Sequence, residues 1–211
     1  MSKRRPLPIP LDAIPFVVRL PEFTPPFDWE QLFGRPGRVE LELGAGKGLF
    51  VSSAASARLD SNFLAVERAP KYFHRAVERL IEAPRPNVRL LRADAFDLLV
   101  RWIPPGTVDD LHVYFPDPWP KKRHAKRRML QPALFLGIAR ALKSGGRVWL
   151  GSDVHPYFEE AVAAIESIPA FARESWPDDA PDRIHTSYAL KYLREGRRLH
   201  YARFRRTESH C

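Results

Sequence analysis

The alternation of apolar and polar positions from Arg38 onward predicts an α/β fold. Short apolar runs with strand composition alternate with segments in which apolar residues recur at helical spacing. The predicted strands are RVELEL, NFLAVE, NVRLLRAD, VDDLHVYF and GGRVWLGS. The predicted helices are LFVSSAASARL, residues 71–82, AFDLLVRWI, PALFLGIARALK and HPYFEEAVAAIESI. This order favours a mostly parallel sheet with helices on both faces.

The two ends of the chain depart from this alternation. Residues 1–36 are rich in proline and mix basic with apolar residues. They predict an extended arm packed on the domain, with at most a short helix near 27–33. The tail, 171–211, contains RRLHYARFRR, a candidate strand for an antiparallel sheet edge. No repeat or low-complexity linker interrupts the remainder, so we assign 37–211 to one domain.

The charge balance favours a polyanionic partner. The 211 residues carry a net charge of +9 and a pI near 10.0, which is typical of proteins that bind nucleic acid or an anionic membrane surface. No apolar run approaches the roughly 18 residues of a membrane span, and prolines interrupt the apolar residues behind the basic start. Cys211, the only cysteine, excludes an intramolecular disulfide and a cysteine-cluster metal site. We expect a soluble cytoplasmic protein without a metal.

Three glycines follow the first predicted strand, in the segment ELGAGKG. Gly44, Gly46 and Gly48 would allow a tight turn and a close approach of a ligand to the backbone. The spacing G-x-G-x-G differs from the G-x-G-x-x-G of dinucleotide-binding loops. A nicotinamide cofactor stays open as an alternative, and so does a purely turn-forming role.

Three acids lie at or near the carboxyl ends of successive predicted strands. Glu42 precedes the glycine loop, Glu67 ends the second strand and Asp94 ends the third. Ligands of open α/β sheets bind at this edge, where Glu67 could accept both ribose hydroxyls and Asp94 would lie near an adenine. S-adenosylmethionine has no pyrophosphate, and its amino group suits an acid near the first strand. The acids therefore favour that cofactor.

A stiff aromatic turn, FPDPW, follows the fourth predicted strand. Pro116 and Pro118 fix the backbone around Asp117, and Phe115 and Trp119 could stack or exclude water. Asp117 is thereby predicted at the same ligand-binding edge. The structural alternative is an Asp-Pro turn beside a core tryptophan.

A basic strip continues from this turn, and a second basic group lies in the tail. The strip comprises Lys121, Lys122, Arg123, Lys126, Arg127 and Arg128. The tail group comprises Arg194, Arg197, Arg198, Arg203, Arg205 and Arg206. Charge runs are usually solvated surfaces, but beside a reaction centre in a chain of net charge +9 we expect phosphate contacts.

These segments, together with AVE, RADA, GSD and the tail TSYALKYLREGRRLHYARF, resemble the bacterial tRNA (guanine-N7)-methyltransferases from about residue 40 to 204. The resemblance implies a Rossmann-like class I methyltransferase with a mostly parallel, seven-stranded sheet. It also implies methyl transfer from S-adenosylmethionine to N7 of a guanine in the variable loop of tRNA.

The resemblance also implies roles for particular residues. Glu42, Glu67 and Asp94, with the glycine loop, would belong to the cofactor site. Asp117 would lie at the cofactor and the target base as the catalytic carboxylate. The residues that would face the substrate are Lys121, Asp153, Thr186 and Tyr188, and those that would bind RNA are Lys122, Arg123, Lys126, Arg127 and Arg128.

Two motifs depart from the family pattern. Thr-Asp-Trp is replaced by Ser152, Asp153 and Val154, so the acid is kept and the aromatic neighbour is not. In the tail motif Thr-x-aromatic-Glu, the glutamate is replaced by Ala189. Either another carboxylate, such as Glu195, substitutes, or that contact is lost and activity is weakened.

The expected chemistry requires no general base. Guanine N7 is a bare lone pair, and a fixed carboxylate, Asp117 or Asp153, would stabilise the positive charge that moves to the purine. Three alternatives remain at this point: methylation of an exocyclic amine, an inactive RNA-binding module, and a nicotinamide-dependent oxidoreductase. The last leaves the turn and its basic strip without a role.

Overall fold

A computed structural model of the chain describes residues 10–119, 123, 128–176 and 186–208. They form one eight-stranded sheet in the order β1-β4-β3-β2-β5-β6-β8-β7. The strands are Val17–Val18 (β1), Arg38–Leu43 (β2), Ser61–Val66 (β3), Val88–Leu91 (β4), Val108–Tyr114 (β5), Leu142–Ser152 (β6), Phe171–Glu174 (β7) and His200–Arg206 (β8). Only the β6-β8 and β8-β7 pairs are antiparallel, which confirms the predicted α/β sheet with an antiparallel edge.

Helices cover both faces of the sheet. They are Trp29–Phe33 (α1), Leu49–Ala57 (α2), Pro70–Glu82 (α3), Ala95–Asp97 (α4), Pro132–Ala141 (α5), His155–Glu166 (α6) and Ser187–Arg194 (α7). One apolar cluster joins the sheet to α1, α5 and α6, and the other joins it to α2, α3 and the buried part of α7. None of the helices in the described ranges combines the length and apolar character that a bilayer crossing requires.

The sheet has eight strands instead of the seven expected, and the arm supplies the additional one. β1 contributes only Val17 and Val18, which pair in parallel with Leu90 and Leu91. A two-residue strand between prolines is too short to show the alternation that identifies a strand, so the sequence pattern did not reveal it.

The described part of the arm also fills the core. Phe27 is 3% exposed, and its ring lies 5.1 Å from that of Trp102 and 5.7 Å from that of Phe23. Its backbone N–H donates to the Trp102 carbonyl at 2.8 Å. The predicted short helix is present as α1, which Asp28 caps by accepting from the amides of Glu30 and Gln31.

Further elements differ from the prediction. AFDLLVRWI forms one short α-turn followed by a π-helical turn, Leu98–Trp102, whose carbonyls are partly satisfied by Arg140. The helix after the basic strip ends at Ala141 and β6 starts directly at Leu142, because Leu142 already pairs with Val108 of β5. Helix α7 was not predicted.

Candidate active site

The glycine loop crosses the end of β3. The amides of Gly44 and Ala45 donate to the Val66 carbonyl at 2.8 and 2.9 Å. Gly44, Gly46 and Gly48 have φ values of 83°, 57° and 70°, in the left-handed region that favours glycine. A Cβ on Gly48 would lie 3.0 Å from the Ala76 Cβ, so the loop also brings α2 close to α3.

Glu67 ties this loop to the end of β3. One carboxylate oxygen accepts from the Gly46 amide at 2.8 Å and the other accepts from the Ala69 amide at 2.6 Å. Burial raises the pKa of this carboxyl, the two amides oppose the shift, and nearby Asp117 adds to it. A carboxylate has about four acceptor sites, so Glu67 can hold the loop and still accept from a ligand hydroxyl.

Asp94 lies between β4 and α4 and caps the N-terminus of α4. Its Oδ1 accepts from the amides of Phe96 and Asp97 at 3.0 and 3.4 Å. Its Oδ2 lies 3.3 Å from a guanidinium nitrogen of Arg68. The cap fixes the first turn of α4 at the carboxyl edge of the sheet.

Asp117 lies in a strained turn after β5. Phe115 and Trp119, on either side of it, adopt φ values of 51° and 42°. Such values are rare for aromatic residues and are maintained only where the surroundings enforce them. Here the Phe115 amide donates to the Gly151 carbonyl at 2.7 Å, while Asp117 itself remains exposed.

Three of the predicted acids and two glycines line one open cleft of about 900 Å³: Glu67, Asp94, Asp117, Gly44 and Gly46. Its remaining walls include Arg68, Tyr72, Phe96, Phe115, Trp119, Met129 and Tyr188. The carboxyl ends of β2 to β5 therefore converge on a cleft with acidic groups and aromatic walls. Gly48 does not line it.

Glu42 lies behind the glycine loop instead of in this cleft. It is 4% exposed and borders a smaller adjoining cavity with Thr186, Ser187 and Tyr114. Gly44, Gly46 and Tyr188 border both cavities. The two spaces are therefore separated by the loop and by α7.

Helix α7 places Tyr188 over the loop. Thr186 caps the helix by accepting from the Ala189 amide at 2.8 Å and is 7% exposed, so its side chain serves the fold of the wall. The Tyr188 ring would lie 3.6 Å from a Cβ on Gly46. Burial and then its hydrogen bond with Tyr72 raise the pKa of the Tyr188 hydroxyl.

Ala189, at the position of the family glutamate, is fully buried in the apolar cluster under α2 and α7. Glu195, the carboxylate that the sequence offers in its place, pairs with cations outside the cleft. Its carboxylate lies 3.6 Å from the Lys191 ammonium and 2.9 Å from the Arg197 guanidinium, and it does not line the cleft.

Asp153 also lies outside the cleft lining. Its side chain is 8% exposed, and its Oδ2 accepts from Arg197 at 2.7 Å. The position predicted to face the substrate is therefore neutralised by a cation of the tail.

The basic residues fall into distinct groups. Lys121, Lys122, Lys126 and Arg127 lie outside the described residues, and Arg123 is exposed. Arg128 binds Glu160 at 2.5 Å and covers the Tyr157 ring at 5.5 Å, so its charge is engaged within the fold.

The six tail arginines also divide. Arg203 and Arg205 lie 3.0 Å from Glu174, Arg206 donates to the Leu142 carbonyl, and Arg197 pairs as above. Arg194 and Arg198 are exposed and have no ion-pair partner among the described residues. These two therefore remain available for an external anion.

Sequence reasoning missed several wall residues. Tyr72, Arg68 and Met129 line the cleft although no motif singled them out. Arg68 and Tyr72 follow Glu67 closely, at the start of the next helix, where residues of the carboxyl edge are expected. Among the described residues, no group of three or more His, Cys, Asp or Glu side chains could hold a metal ion.

Solved structures with a similar fold are methyltransferases. The 16S rRNA methyltransferase KamB aligns with a TM-score of 0.64 at 16% identity, over 85% of this chain and 93% of its own. The aminoglycoside resistance methyltransferase NpmB1 aligns with a TM-score of 0.57 at 17% identity, over 84% and 91%. The chain therefore shares the fold of these proteins, and its cleft lies at the carboxyl edge where open α/β sheets bind ligands.

Sequence comparison narrows the class. Residues 37–202 match the family model described as "Putative methyltransferase". Proteins named tRNA (guanine-N(7)-)-methyltransferase include one from Paracidovorax citrulli, 34% identical over 88% of this chain and 76% of its own length. Another, from Rhodopirellula baltica, is 38% identical over 74% of this chain, which spans 59% of that relative. The chain belongs to the tRNA (guanine-N7)-methyltransferase family.

Proposed function

We propose that this protein transfers the methyl group of S-adenosylmethionine to N7 of a guanine in tRNA. Family membership supports the reaction class. The observation that carries the proposal is the exposed Asp117, held between two strained aromatic residues at a cleft that also contains Glu67 and Asp94. Backbone strain of this kind is costly and is typical of functional sites.

The cleft residues fit the cofactor. Glu67 retains acceptor capacity beyond its two amide bonds, which suits ribose hydroxyls. The capped turn after Asp94, with Phe96, provides a polar edge and an aromatic wall for an adenine. The glycine loop allows a close backbone approach, and Glu42, which borders the cavity behind the loop, would offer a further carboxylate to the cofactor's amino group.

The residues of the site can support this reaction without a general base. S-adenosylmethionine supplies an electrophilic methyl group on a sulfonium, which a bare N7 lone pair can attack without prior loss of a proton. Asp117 would stabilise the positive charge that develops on the purine. Phe115 and Trp119 would restrict the orientation of the base and limit access of water.

The tRNA would be held through its phosphates. Arg194 and Arg198 are exposed at the end of α7 and directly after it, and among the described tail arginines these two have neither an ion-pair partner nor a hydrogen-bonded carbonyl. Contacts of this kind position the RNA without reading its sequence. The basic strip after Trp119, most of which lies outside the described residues, would supply further phosphate contacts, as the sequence predicts.

Methyl transfer to unmodified tRNA transcripts tests the proposal. Wild type should yield 7-methylguanosine, identified by the mass and alkali lability of the nucleoside. Asp117→Asn should lower the rate about 100-fold, because the shape is kept and the charge is lost. Asp97→Asn, which changes an exposed acid outside the cleft, is the matched control.

The other outcomes separate the alternatives. If wild type produces an amine-methylated base, the target atom is an exocyclic nitrogen and not N7. Absence of transfer with salt-sensitive tRNA binding retained would identify an RNA-binding module. A rate for Asp117→Asn equal to that of wild type would remove Asp117 from the mechanism.

A further inference from the structure

Three arginines share one glutamate on the sheet face formed by β6, β8 and β7. Arg147 lies on β6, Arg203 and Arg205 lie on β8, and Glu174 ends β7. In the strand register Arg147 stands opposite Arg205, and Glu174 stands opposite Arg203. Because residues two positions apart on a strand point to the same face, the four charged groups meet on one surface. The three arginines are called the arginine cluster below.

Glu174 lies close to the Nε atom of each arginine. Its Oε2 is 3.1 Å from Arg147 Nε and 3.0 Å from Arg203 Nε, and its Oε1 is 3.0 Å from Arg205 Nε. A guanidinium carries five N–H donors, of which Nε supplies one. Within the part of the chain that the structure describes, the Nη groups of the three arginines make no hydrogen bond or ion pair. Most donors of the arginine cluster are therefore available to another acceptor.

The arginine cluster also keeps an excess of positive charge. Three guanidinium charges against one carboxylate charge leave a formal surplus of +2. Asp110, which faces Arg147 across β5 and β6, does not balance it, because Asp110 is paired with Arg38 at 2.8 Å. The side chains of Arg147 and Arg205 are 38% and 46% exposed, so an external anion can reach them.

The arginine cluster is held in place before any ligand binds. The Arg203 guanidinium carbon lies 5.0 Å from the centre of the Trp149 ring, within the range of a cation–π contact. The Trp149 indole donates to Asp110 at 2.8 Å, and the Trp176 ring packs edge-on against it at 5.2 Å. Groups that are already oriented lose little conformational entropy when they bind.

The arginine cluster lies outside the cleft but within reach of an RNA bound there. Arg147 is five positions before Ser152, the last residue of β6, which corresponds to roughly 17 Å along the strand. The exposed Arg198 lies just before β8 at the other end of this path. A few nucleotides of RNA backbone cover such a distance.

We propose that the arginine cluster binds a phosphate of the RNA backbone, as a contact of the tRNA outside the cleft. The inference rests on the proposed function, which supplies the polyanion. Guanidinium groups match the geometry of phosphate oxygens and donate to them in pairs. Such a contact holds the RNA without reading its sequence. Glu174 orders the three arginines in the free protein without cancelling their charge.

Equilibrium binding of unmodified tRNA transcripts at several salt concentrations tests the proposal. Arg147→Gln/Arg205→Gln removes the surplus charge and should reduce the slope of log K against log salt by about 1, the value for one phosphate contact. The matched control is Arg75→Gln/Arg173→Gln, which also removes two exposed arginines. Each of these is paired with one glutamate, at 2.8 and 3.2 Å, so the slope should stay that of wild type.

Glu174→Gln separates phosphate binding from a purely structural role. It removes the competing carboxylate and leaves three cations, so it should strengthen tRNA binding about 3-fold. A cluster that only fastens β7 to the sheet predicts no gain in affinity from this change. Thermal unfolding of each variant shows that it is folded at the temperature of the binding measurement.

Two results would overturn the proposal: equal slopes for the two double variants, or no gain in affinity from Glu174→Gln. Either would mean that the arginine cluster is neutralised within the chain, in which Asp178, Asp179 and Asp182 follow Glu174 closely. Binding does not require methyl transfer, so the two proposals fail separately. A wild type that transfers no methyl group but shows the expected slopes loses the proposed function and keeps the phosphate site. Formation of 7-methylguanosine with equal slopes has the reverse meaning.

Discussion

Burial makes the Glu67 carboxylate costly to ionise, and two backbone donors offset part of that cost. Because the pKa of Glu67 is raised above its usual value of 4.5, the group takes up a proton earlier than an ordinary glutamate as the pH falls. Ligand hydroxyls would bind the ionised form. In the proposed cofactor site, the same residue would therefore link the shape of the glycine loop to the pH dependence of cofactor binding.

Glu67→Gln should weaken S-adenosylmethionine binding about 10-fold, because charge-assisted hydrogen bonds to the ligand and to Gly46 are lost. Wild-type affinity should decline as the pH falls and Glu67 takes up a proton, at a higher pH than an ordinary glutamate because its pKa is raised, and the variant should lack that decline. Titration calorimetry at several pH values measures both effects. Affinity in the variant equal to that of Asp97→Asn would exclude Glu67 from the cofactor site.

A second buried acid, Glu40, serves stability. Arg58 binds it through two nitrogens at 3.0 and 2.8 Å, and His112 Nε2 lies 3.0 Å from its Oε2. Burial alone would raise the pKa of Glu40, but His112 and then Arg58 outweigh it and lower the pKa to about 2. A lowered carboxyl pKa stabilises the fold above pH 4.5, and this contribution disappears as the pH falls towards 2.

Glu40→Gln should therefore reduce the free energy of unfolding at pH 7 by about 3 kcal/mol, since it leaves the partly buried Arg58 guanidinium without its carboxylate and weakens the buried contact with His112. The difference from wild type should shrink as the pH falls from 4.5 towards 2. Urea unfolding across this range is the measurement. Glu166→Gln, in an exposed pair with Arg173, should change stability by less than about 1 kcal/mol.

At the scale of elements, the close packing of α2 against α3 determines which residue fits at the end of the loop between β2 and α2. Gly48 has φ +70°, and a Cβ there would lie 3.0 and 3.2 Å from the Cβ and Cα of Ala76. Gly106 has a similar φ of +64°, but nothing lies within 4 Å of its would-be Cβ. Substitution at Gly106 therefore tests the cost of backbone strain alone, whereas substitution at Gly48 adds the cost of separating the two helices.

Gly106→Ala should lower the free energy of unfolding by about 1 kcal/mol, from left-handed strain alone. Gly48→Ala should lower it by about 3 kcal/mol and also weaken cofactor binding, because α2 must move away from α3. Chemical denaturation and calorimetry measure the two quantities. Equal stability losses would show that Ala76 can move aside without cost.

Elements with a strong local pattern were predictable, and those that depend on distant partners were not. The alternation identified five of the strands and the antiparallel tail strand. β1 was missed because its two residues form a strand only against β4. The π-helical turn was missed because Arg140, on another helix, satisfies its carbonyls.

At the scale of the whole molecule, the cations behind the net charge of +9 do not form one continuous basic surface. Many of the described cations neutralise acids within the fold, as Arg203 and Arg205 do with Glu174. In the proposed function, electrostatic attraction to RNA would depend on the cations that remain, such as Arg194 and Arg198. Their position after Tyr188 places them on the same helix and turn as the cleft wall.

Removing both Arg194 and Arg198 by alanine substitution should reduce the slope of log K against log salt for tRNA binding by about 2, or about 1 for each phosphate contact. Removing Arg75, whose guanidinium is already paired with Glu78 at 2.8 Å, should leave the slope unchanged. Equilibrium binding at several salt concentrations measures the slopes. Equal slopes for all variants would place the RNA path elsewhere.

The sequence by itself determined the fold class, the glycine loop and the convergence of Glu67, Asp94 and Asp117 on one cleft, because parallel strands bring their carboxyl ends to one edge. Only the tertiary structure decided which charges are free. Asp153, Arg128 and most tail arginines are engaged by partners far along the chain, and the burial of Ala189 depends on the packing of α7. Spacing along a sequence reports local geometry, whereas the pairing and desolvation of a charge depend on elements that only folding brings together.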